Sequence, residues 1–419
     1  MSGCTVTYCP LATMPDSHRR GTSWQWAVVL VLTLSGYLAG FNVGKVSATL
    51  PYIRAELDLS LVLAGSIASS YSLVAMFFSV LLGVVVSRFG AVGCVIAGLL
   101  LIAVAGAVGA GATDYLWLLV SRVTEGVGYV LLAIATPILI ARVINEKSRP
   151  VAMGVWGTFL PGGVALSMFI APLFPDQWRP LWWVTCIYAA VAIVVLLTFV
   201  LPYIRRLTRC QPAPVTEQSA LYTTVFCRDP LLLAASFMFY SMFFVTLVTF
   251  LPTVLSESSS LTIKAATSFS VFVVLCNILG NLTGGWLIGR GVSLQLVLRV
   301  ALVGSCLLAS LVFLQALNVW LRIACGLLAC YLGGMLPAAV FSSIARFVPA
   351  QKSGLLLGVV FQALGCGQVA GPVTLAALVE KSGSWRTGVL YFLCLAVAGF
   401  VVLLNFQSRK ELDKPSPVQ

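Results

Sequence analysis

"LPYIRAELDLSLVLAGSIASSYS" at residues 50–72 has a partner later in the chain, "LPTVLSESSSLTIKAATSFSVF" at residues 251–272. Both stretches begin with Leu-Pro and carry a glutamate six positions later. The match continues without a gap to Ser69 in the first stretch and Ser270 in the second. This repeat predicts that the chain consists of two similar halves.

Further matches between the halves follow in the same order along the chain. They are Gly83 with Gly285, Arg88 with Arg290, Arg122 with Arg322, Gly126 with Gly326, Pro172 with Pro372, and Trp178 with Trp385. The offset between partners stays between 200 and 207 positions. A single agreement in apolar sequence arises easily by chance, whereas an ordered series at one offset indicates a true internal repeat.

The composition predicts that both halves lie in a membrane. Of the 419 residues, 60% are hydrophobic and 9% are charged, with a mean hydropathy of +1.02, whereas a soluble domain carries about 25% charged residues. Apolar runs of about 20 residues recur, and each can cross a hydrocarbon core roughly 30 Å thick. Twelve spans are predicted, at residues 26–50, 61–86, 91–112, 115–141, 151–174, 181–203, 230–254, 265–289, 293–316, 319–345, 353–379 and 385–406. The predicted fold class is an all-α integral membrane protein with twelve transmembrane helices in two pseudo-symmetric six-helix bundles.

A polar linker separates the two halves. It reads "IRRLTRCQPAPVTEQSALYTTVFCRD" and contains prolines, which are typical of a connecting segment. The predicted domains are an N-terminal tail at 1–25, a bundle at 26–203, the linker at 204–229, a second bundle at 230–406 and a C-terminal tail at 407–419. Because six is an even number of spans, the halves keep the same orientation, as in transporters with parallel repeats.

The basic residues predict the orientation in the membrane. If both termini lie in the cytoplasm, seventeen of the 25 Lys and Arg residues fall on the cytoplasmic side and five on the other side. This bias predicts a cytoplasmic (inner) membrane protein with cytoplasmic tails and linker. It also accounts for the net charge of +12, so nucleic-acid binding, which needs a clustered basic face, is not expected.

Several function classes lack the residues that they need. The single histidine, His18, lies in the N-terminal tail, and the twelve cysteines form no CxxC pair, so a metal site is not expected. Glu125 is the only carboxylate inside a predicted span, which leaves no paired acid for an enzyme. The sequence has no P-loop signature for ATP and no visible filter segment for a channel. A channel or a non-transporting membrane sensor is kept as a remote alternative.

Five short stretches carry three motifs: those at 83–93 and 154–163 each have a counterpart in the second half, at 285–292 and 365–372, and the third lies at 122–128. The stretches are "GVVVSRFGAVG" at 83–93, "RVTEGVG" at 122–128, "GVWGTFLPGG" at 154–163, "GWLIGRGV" at 285–292 and "GCGQVAGP" at 365–372. Together they resemble the signatures of the major facilitator superfamily, in its bacterial twelve-span form, over nearly the whole chain. The resemblance implies secondary active transport by alternating access, and it implies a link between the motif at 122–128 and proton coupling.

The same resemblance supplies candidate gating residues. These are Gly83, Arg88, Gly90, Gly157, Pro161, Gly285, Arg290 and Pro372. Two departures from the signatures stand out, since Ser87 and Gly289 replace the acidic residue expected before Arg88 and Arg290. The stretch at 154–163 resembles the Gly-Pro signature of exporters only in part.

Arg122 and Glu125 lie in the fourth predicted span, within a run otherwise suited to lipid. At 1.5 Å per residue they lie roughly 10 and 15 Å from its outer end. Residues three apart share one helix face and can pair. Two interpretations stay open: a structural pair that orders the span, or a functional pair in which Glu125 exchanges a proton and Arg122 binds solute. In the second interpretation, solute capture by Arg122 raises the proton affinity of Glu125, and both face a central cavity.

Other polar residues inside the spans extend the predicted solute site. Lys45 either reaches the membrane interface or points into the cavity towards Arg122, and Asn42 precedes it by about one helical turn. Asn277 and Gln362 of the second half either orient the solute by hydrogen bonds or join helices.

The charge balance of the predicted interior is positive. Lys45, Arg122 and Arg322 face a single carboxylate, Glu125. Arg322 lies about three residues into its span, so we expect its side chain to reach the interface. The balance favours a small anionic or zwitterionic organic solute, moved with protons and without a cofactor by a monomer in the lipid bilayer. The alternative is proton-driven export of drugs, siderophores or other metabolites.

Overall fold

The computed structural model describes residues 17–175, 177–208, 224–257, 263–349 and 353–406, and these residues form helices and short connections. Twelve helices are long and apolar enough to span a membrane, which confirms the predicted fold class. They are α1 (Ser17–Glu56), α2 (Leu61–Phe89), α3 (Ala91–Ala110), α4 (Tyr115–Val143), α5 (Arg149–Gly157 and Phe159–Ile170), α6 (Arg179–Val195, continued through Leu196–Val200 and Leu201–Thr208), α7 (Arg228–Glu257), α8 (Ile263–Gly289), α9 (Leu294–Arg299, continued through Val300–Gly304 and Ser305–Val312), α10 (Val319–Phe347), α11 (Gly354–Ser382) and α12 (Thr387–Leu404).

The helix boundaries differ from the predicted ones at most spans. α1 begins at Ser17, inside the predicted tail, and α6 ends at Thr208, inside the predicted linker. Hydrophobicity shows where a chain crosses lipid, but a helix continues into water as long as its backbone hydrogen bonds are made. The rest of the linker up to residue 223, residues 1–16 of the N-terminal tail and the whole C-terminal tail lie outside the described residues.

Local sequence signals explain several helix starts and turns. The side chains of Ser60 and Asp114 accept hydrogen bonds from backbone N–H groups three residues ahead, which caps α2 and α4. Gly90 alone separates α2 from α3, with a φ of 87° that favours glycine. This turn gives the predicted gating residue Gly90 a definite backbone role.

α5 is interrupted at Thr158, between the predicted gating residues Gly157 and Pro161. α6 and α9 each contain a π-helical turn, at Leu196–Val200 and Val300–Gly304. Proline deprives a helix of one backbone donor, which is consistent with the break close to Pro161. The signature at 154–163 therefore marks a helix discontinuity.

The two copies of the repeat make the same contact at the end of their first helix. Trp178 donates a hydrogen bond from Nε1 to Glu56 at 2.7 Å, and Trp385 donates one to Glu257 at 2.6 Å. These four residues are partners in the sequence repeat. The first copy adds an ion pair between Arg179 and Glu56. Each bundle thus joins its first and sixth helices in the same way.

The halves meet closely on one side of the membrane. We call the side on which α1 begins and α12 ends the terminal side. A Cβ atom built on Gly83 of α2 would overlap the backbone of Gly354 and press against Gly358 of α11, and one on Gly154 of α5 would approach Gly285 of α8. These glycines lie near the terminal-side ends of their helices, so the helices from opposite halves are packed backbone to backbone there.

Candidate functional site

Glu125 lies near the middle of α4 and is fully buried. Its Oε1 accepts a hydrogen bond from Lys45 Nζ of α1 at 2.5 Å, and its Oε2 accepts one from Arg122. The predicted pairing of Arg122 with Glu125 is present in the structure. The sequence did not identify Lys45 as a second direct partner of the carboxylate.

Lys45 has two further neighbours, both on α6. Its ammonium donates to Thr185 Oγ1 at 3.1 Å and lies 4.3 Å from the centre of the Trp182 ring. The side chain is 0% exposed, so it does not reach the membrane interface. Of the two interpretations that the sequence left open for Lys45, the structure supports an inward orientation.

Arg122 makes both of its hydrogen bonds through the same nitrogen. NH1 donates to the backbone oxygen of Asn42 at 3.0 Å and to Glu125. The guanidinium lies 5.1 Å from the centre of the Tyr71 ring. Two buried donors beside these contacts, Arg122 Nε and Asn42 Nδ2, have no hydrogen-bond partner within the part of the chain that the structure describes. Buried donors without an acceptor are costly and rare, which makes them notable here.

Asn42, Lys45, Arg122, Glu125 and Thr185 form what we call the charged cluster. The Thr185 hydroxyl shares its one proton between the backbone oxygen of Leu181, at 3.0 Å, and Asn42 Oδ1, at 3.3 Å, and the second contact closes the network. Two cations face one carboxylate, so the cluster carries a formal charge of +1 in a buried setting. Removing a charge from water is unfavourable unless it is paired. The cluster therefore favours an additional negative group.

The structure corrects one expectation about this cluster. Arg122 and Glu125 were expected to face the central cavity, but Arg122 is 1% exposed and Glu125 is 0% exposed. They lie inside the first bundle, among α1, α4 and α6, with the Tyr71 ring of α2 against the guanidinium. The reason is Lys45, which donates both to the Glu125 carboxylate and to Thr185 of α6 and so links the carboxylate to that helix. Solute can reach the cluster only when neighbouring side chains move.

Arg322 also departs from expectation. It was expected to reach the interface, but it is 1% exposed and its Nε donates to the carbonyl oxygen of Val312 at 2.6 Å. That carbonyl lies at the end of α9, where helix carbonyl groups lack intrahelical partners. The repeat partner of Arg122 is thus held by a helix end.

The polar residues of the second half form a separate network. Asn277 Nδ2 donates to the Tyr240 hydroxyl and to the backbone oxygen of Cys330, both at 3.2 Å. Asn281 Nδ2 donates to Asn277, while its own Oδ1 has no hydrogen-bond partner among the described residues and lies against Gly157 of α5. Asn277 thus links helices within the second half, and Asn281 meets the first half.

Gln362 and three of the candidate gating residues lie at the junction of the halves. Gln362 Oε1 accepts a hydrogen bond from the backbone N–H of Val80 across the junction, at 3.3 Å. Gly83, Gly157 and Gly285 lie in direct contact with the opposite half.

The remaining gating candidates are placed differently. The exposed Arg88 and Arg290 guanidinium groups lie over the rings of Phe89 and Trp286, at 5.9 and 4.1 Å. Pro372 lies inside α11 next to Gly371, which packs on α7 of the same half. The structure does not bring these three residues together with the glycine contacts, and their gating roles stay predictions.

Comparison with known proteins places the chain in a family. Residues 32–337 match the family model described as Major Facilitator Superfamily. The chain belongs to this superfamily. It is therefore a multi-pass membrane protein of secondary transport and not an enzyme.

Individual members of the superfamily show the extent of the similarity. The chain is 24% identical over 409 residues to the hexuronate transporter of Bacillus subtilis (strain 168), which covers 93% of this chain and 96% of that protein. It is 27% identical over 190 residues to the MFS-type efflux pump MMF1 of Pseudozyma antarctica (strain T-34), covering 44% of this chain and only 34% of the pump.

A solved structure shares the fold. The proton:xylose symporter XylE superposes with a TM-score of 0.75 at 15% identity, covering 92% of this chain and 96% of XylE. At this identity the similarity shows the fold and does not identify the residues that contact solute.

One residue of the charged cluster, Thr185, and one neighbour of Lys45, Trp182, were missed at the sequence level. Thr185 is one hydroxyl in an apolar span, and Trp182 next to it is an aromatic residue of the kind that fills helix interfaces. Their link to Lys45 depends on the packing of α1 against α6. Asn42 was identified as a candidate, and its backbone oxygen, which carries no sequence signal, contacts Arg122.

Proposed function

We propose that this transporter carries a small organic anion with a carboxylate group across the cytoplasmic membrane together with a proton. The observation that carries the proposal is the buried charged cluster, with two cations, one carboxylate, and unpartnered donors at Arg122 Nε and Asn42 Nδ2. A solute carboxylate would supply both the missing negative charge and acceptor oxygens. Guanidinium groups bind carboxylates with a geometry that neutral donors do not match.

Similarity to known transporters supports both parts of the proposal. A hexuronate, the solute in the name of the Bacillus subtilis relative, is a sugar that carries a carboxylate. XylE is described as a proton symporter. The first similarity supports an anionic solute, and the second supports coupling to protons.

The cluster offers a physical route to coupling. A solute carboxylate that draws Arg122 away from Glu125 leaves that side chain with less positive charge beside it, which favours its protonation. Solute and proton then become favourable to bind together. The proton gradient supplies the energy, no cofactor takes part, and a single chain suffices because it contains both halves.

Replacing Arg122 with lysine tests the role of the guanidinium. Lysine keeps the charge but loses the planar fork. We expect the KM for glucuronate in proteoliposomes to rise about tenfold or more, because a hydrogen bond to a charged group contributes roughly 1.5–3 kcal/mol. Initial uptake rates over a range of glucuronate concentrations measure the effect.

Arg322→Lys is the matched control, since it makes the same change at the repeat partner. Arg322 is equally buried but bonds to a backbone carbonyl, so its KM for glucuronate should stay close to that of the unchanged protein. Equal KM values for Arg122→Lys and the unchanged transporter would contradict anion capture by Arg122.

A second candidate function is proton-driven export. The partial match with the efflux pump MMF1 and the exporter-like signature at 154–163 favour it. The two directions differ in which metabolite pool changes when the transporter is removed. Export predicts that the solute builds up inside cells without the gene, and uptake predicts that it stays in the medium.

The proposal also includes cytoplasmic termini and a cytoplasmic linker. A Gln218→Cys substitution, in a background without other exposed cysteines, places a reactive thiol in the linker. We expect an impermeant thiol reagent to label it in inverted membrane vesicles and not in intact cells, because basic loops stay on the cytoplasmic side. Labelling in intact cells would reverse the proposed orientation.

A further inference from the structure

Aromatic rings from both halves meet on the terminal side of the charged cluster. We call this group the aromatic gate; it consists of Tyr129 and Phe159 from the first half and Phe237, Phe341 and Phe361 from the second half. All five side chains are buried. The gate therefore lies across the junction of the halves.

Phe361 on α11 is the centre of this gate. Its ring centroid lies 6.4 Å from Tyr129, 6.4 Å from Phe159, 6.3 Å from Phe237 and 5.9 Å from Phe341. Such separations are typical of favourable aromatic pairs. One side chain thus contacts two rings of each half, so separating the halves on the terminal side has to break its contacts with Tyr129 and Phe159.

The path beyond the gate is closed. A cavity of about 20 Å³ between the halves is lined by Met153 of the first half and by Phe341 and Leu357 of the second, among others. A volume of this size holds about one water molecule, which is far too small for an organic solute. Leu357 is one helical turn before Phe361 on α11 and is 1% exposed.

A continuous chain of contacts joins the charged cluster to the gate. The Arg122 guanidinium lies 5.1 Å from the centre of the Tyr71 ring, Tyr71 stacks on Tyr129 at 4.6 Å, and Tyr129 meets the edge of Phe361 at 6.4 Å. The Tyr71 hydroxyl donates to the backbone oxygen of Ala39 at 2.6 Å, which fixes the ring against α1. Every member of the chain is at least 98% buried.

We propose that Tyr71 and Tyr129 are positioning residues that connect the state of the Arg122–Glu125 pair to opening of the aromatic gate at Phe361. When Glu125 is neutral, Arg122 loses its charged partner and shifts. The Tyr71 ring then loses a cation above its face, and the stack no longer supports Phe361. This inference rests on the proposed function only in naming protonation as the natural trigger.

Thiol labelling reports the state of the gate without any transport. The reporter is Leu357→Cys in a background whose native cysteines are replaced by serine or alanine, reconstituted in proteoliposomes with an impermeant thiol reagent on the terminal side. We expect slow labelling in the otherwise unchanged protein. Phe361→Ala should speed labelling about tenfold or more, because each aromatic pair lost weakens the closed state. Phe361→Leu, which fills more of the space, should have a smaller effect.

The connection through tyrosine is tested by a double-mutant cycle. Glu125→Gln alone mimics the neutral acid and should speed labelling of the reporter about tenfold. The expected reason is a shift of the equilibrium between the closed and the open gate towards the open gate. Tyr71→Leu should remove most of this response. Tyr71→Phe keeps the ring and should preserve it, even though the bond to Ala39 is lost.

If Glu125→Gln speeds labelling of the reporter equally with Tyr71 in place and with Tyr71→Leu, the proposal is overturned. It is also overturned by a reporter that stays protected in both Phe361→Ala and Phe361→Leu while the proteins elute as single species in detergent. Failure of anion or proton transport would leave these labelling rates unaffected. The gate and the transport function can therefore fail separately.

Discussion

Glu125→Gln is expected to abolish proton-driven accumulation of the solute while leaving solute exchange across the membrane intact. Glutamine has the shape of the protonated acid but cannot release a proton. A pH difference of one unit can drive about tenfold accumulation of a solute that travels with one proton, and this ratio should fall to about one. The assay is uptake of labelled glucuronate into proteoliposomes with an imposed pH gradient, beside counterflow without a gradient.

Glu125→Gln is also expected to lower the stability of the folded protein. Lys45 and Arg122 both form ion pairs with Glu125. Removing one partner of a buried ion pair lowers the free energy of unfolding by about 3–5 kcal/mol. The Lys45→Met, Glu125→Gln double variant removes one uncompensated cation and should recover part of the thermal stability. Recovery of melting temperature without recovery of accumulation separates the folding effect from the loss of coupling.

Glu56→Gln is the matched control for the same chemical change outside the cluster. Glu56 also accepts hydrogen bonds from a tryptophan and an arginine, but it is half exposed at the end of α1. Its glutamine variant should accumulate glucuronate normally. If Glu125→Gln also accumulates glucuronate like the unchanged protein, Glu125 is not the proton carrier and the pair is structural.

Pairing between neighbouring residues was predictable, and pairing across helices was not. Arg122 and Glu125 are three residues apart, so helix geometry alone places them together. Lys45 is 80 positions from Glu125, and its contact depends on how α1 packs against α4 and α6. The sequence therefore identified the charges, while the structure showed that two cations share one carboxylate.

The same distinction applies at the junction of the halves. Gly83 and Gly285 were predicted because their motifs are repeated and resemble a family signature. Phe361 carried no such signal, since aromatic residues are common in helix interfaces and only their three-dimensional arrangement shows one ring touching both halves. Asn281 and Gly157 illustrate the same point, because the missing side chain of one makes room for the other.

Gly83→Leu is expected to slow turnover strongly by weakening closure on the terminal side. A Cβ at Gly83 would overlap the Gly354 backbone and press against Gly358. Backbone atoms cannot rotate away from this overlap as a flexible side chain can. Overpacking typically costs about 1–3 kcal/mol, which corresponds to a shift of roughly 5- to 150-fold in the balance between closed and open states. Turnover of glucuronate should fall accordingly, while the protein should remain folded because each bundle keeps its own core.

Gly93→Leu provides the comparison, since Gly93 in α3 is exposed and a Cβ there meets nothing within 4 Å. It should transport like the unchanged protein. Gly285→Leu at the repeat-related junction should instead behave like Gly83→Leu, because its Cβ would press on Gly154 and Pro150. Both junction variants should also speed labelling of the Leu357→Cys reporter from the terminal side. If the two leucines slow turnover but leave the reporter as protected as in the parent protein, the block lies elsewhere. The glycine contacts would then not be the surface on which the halves close.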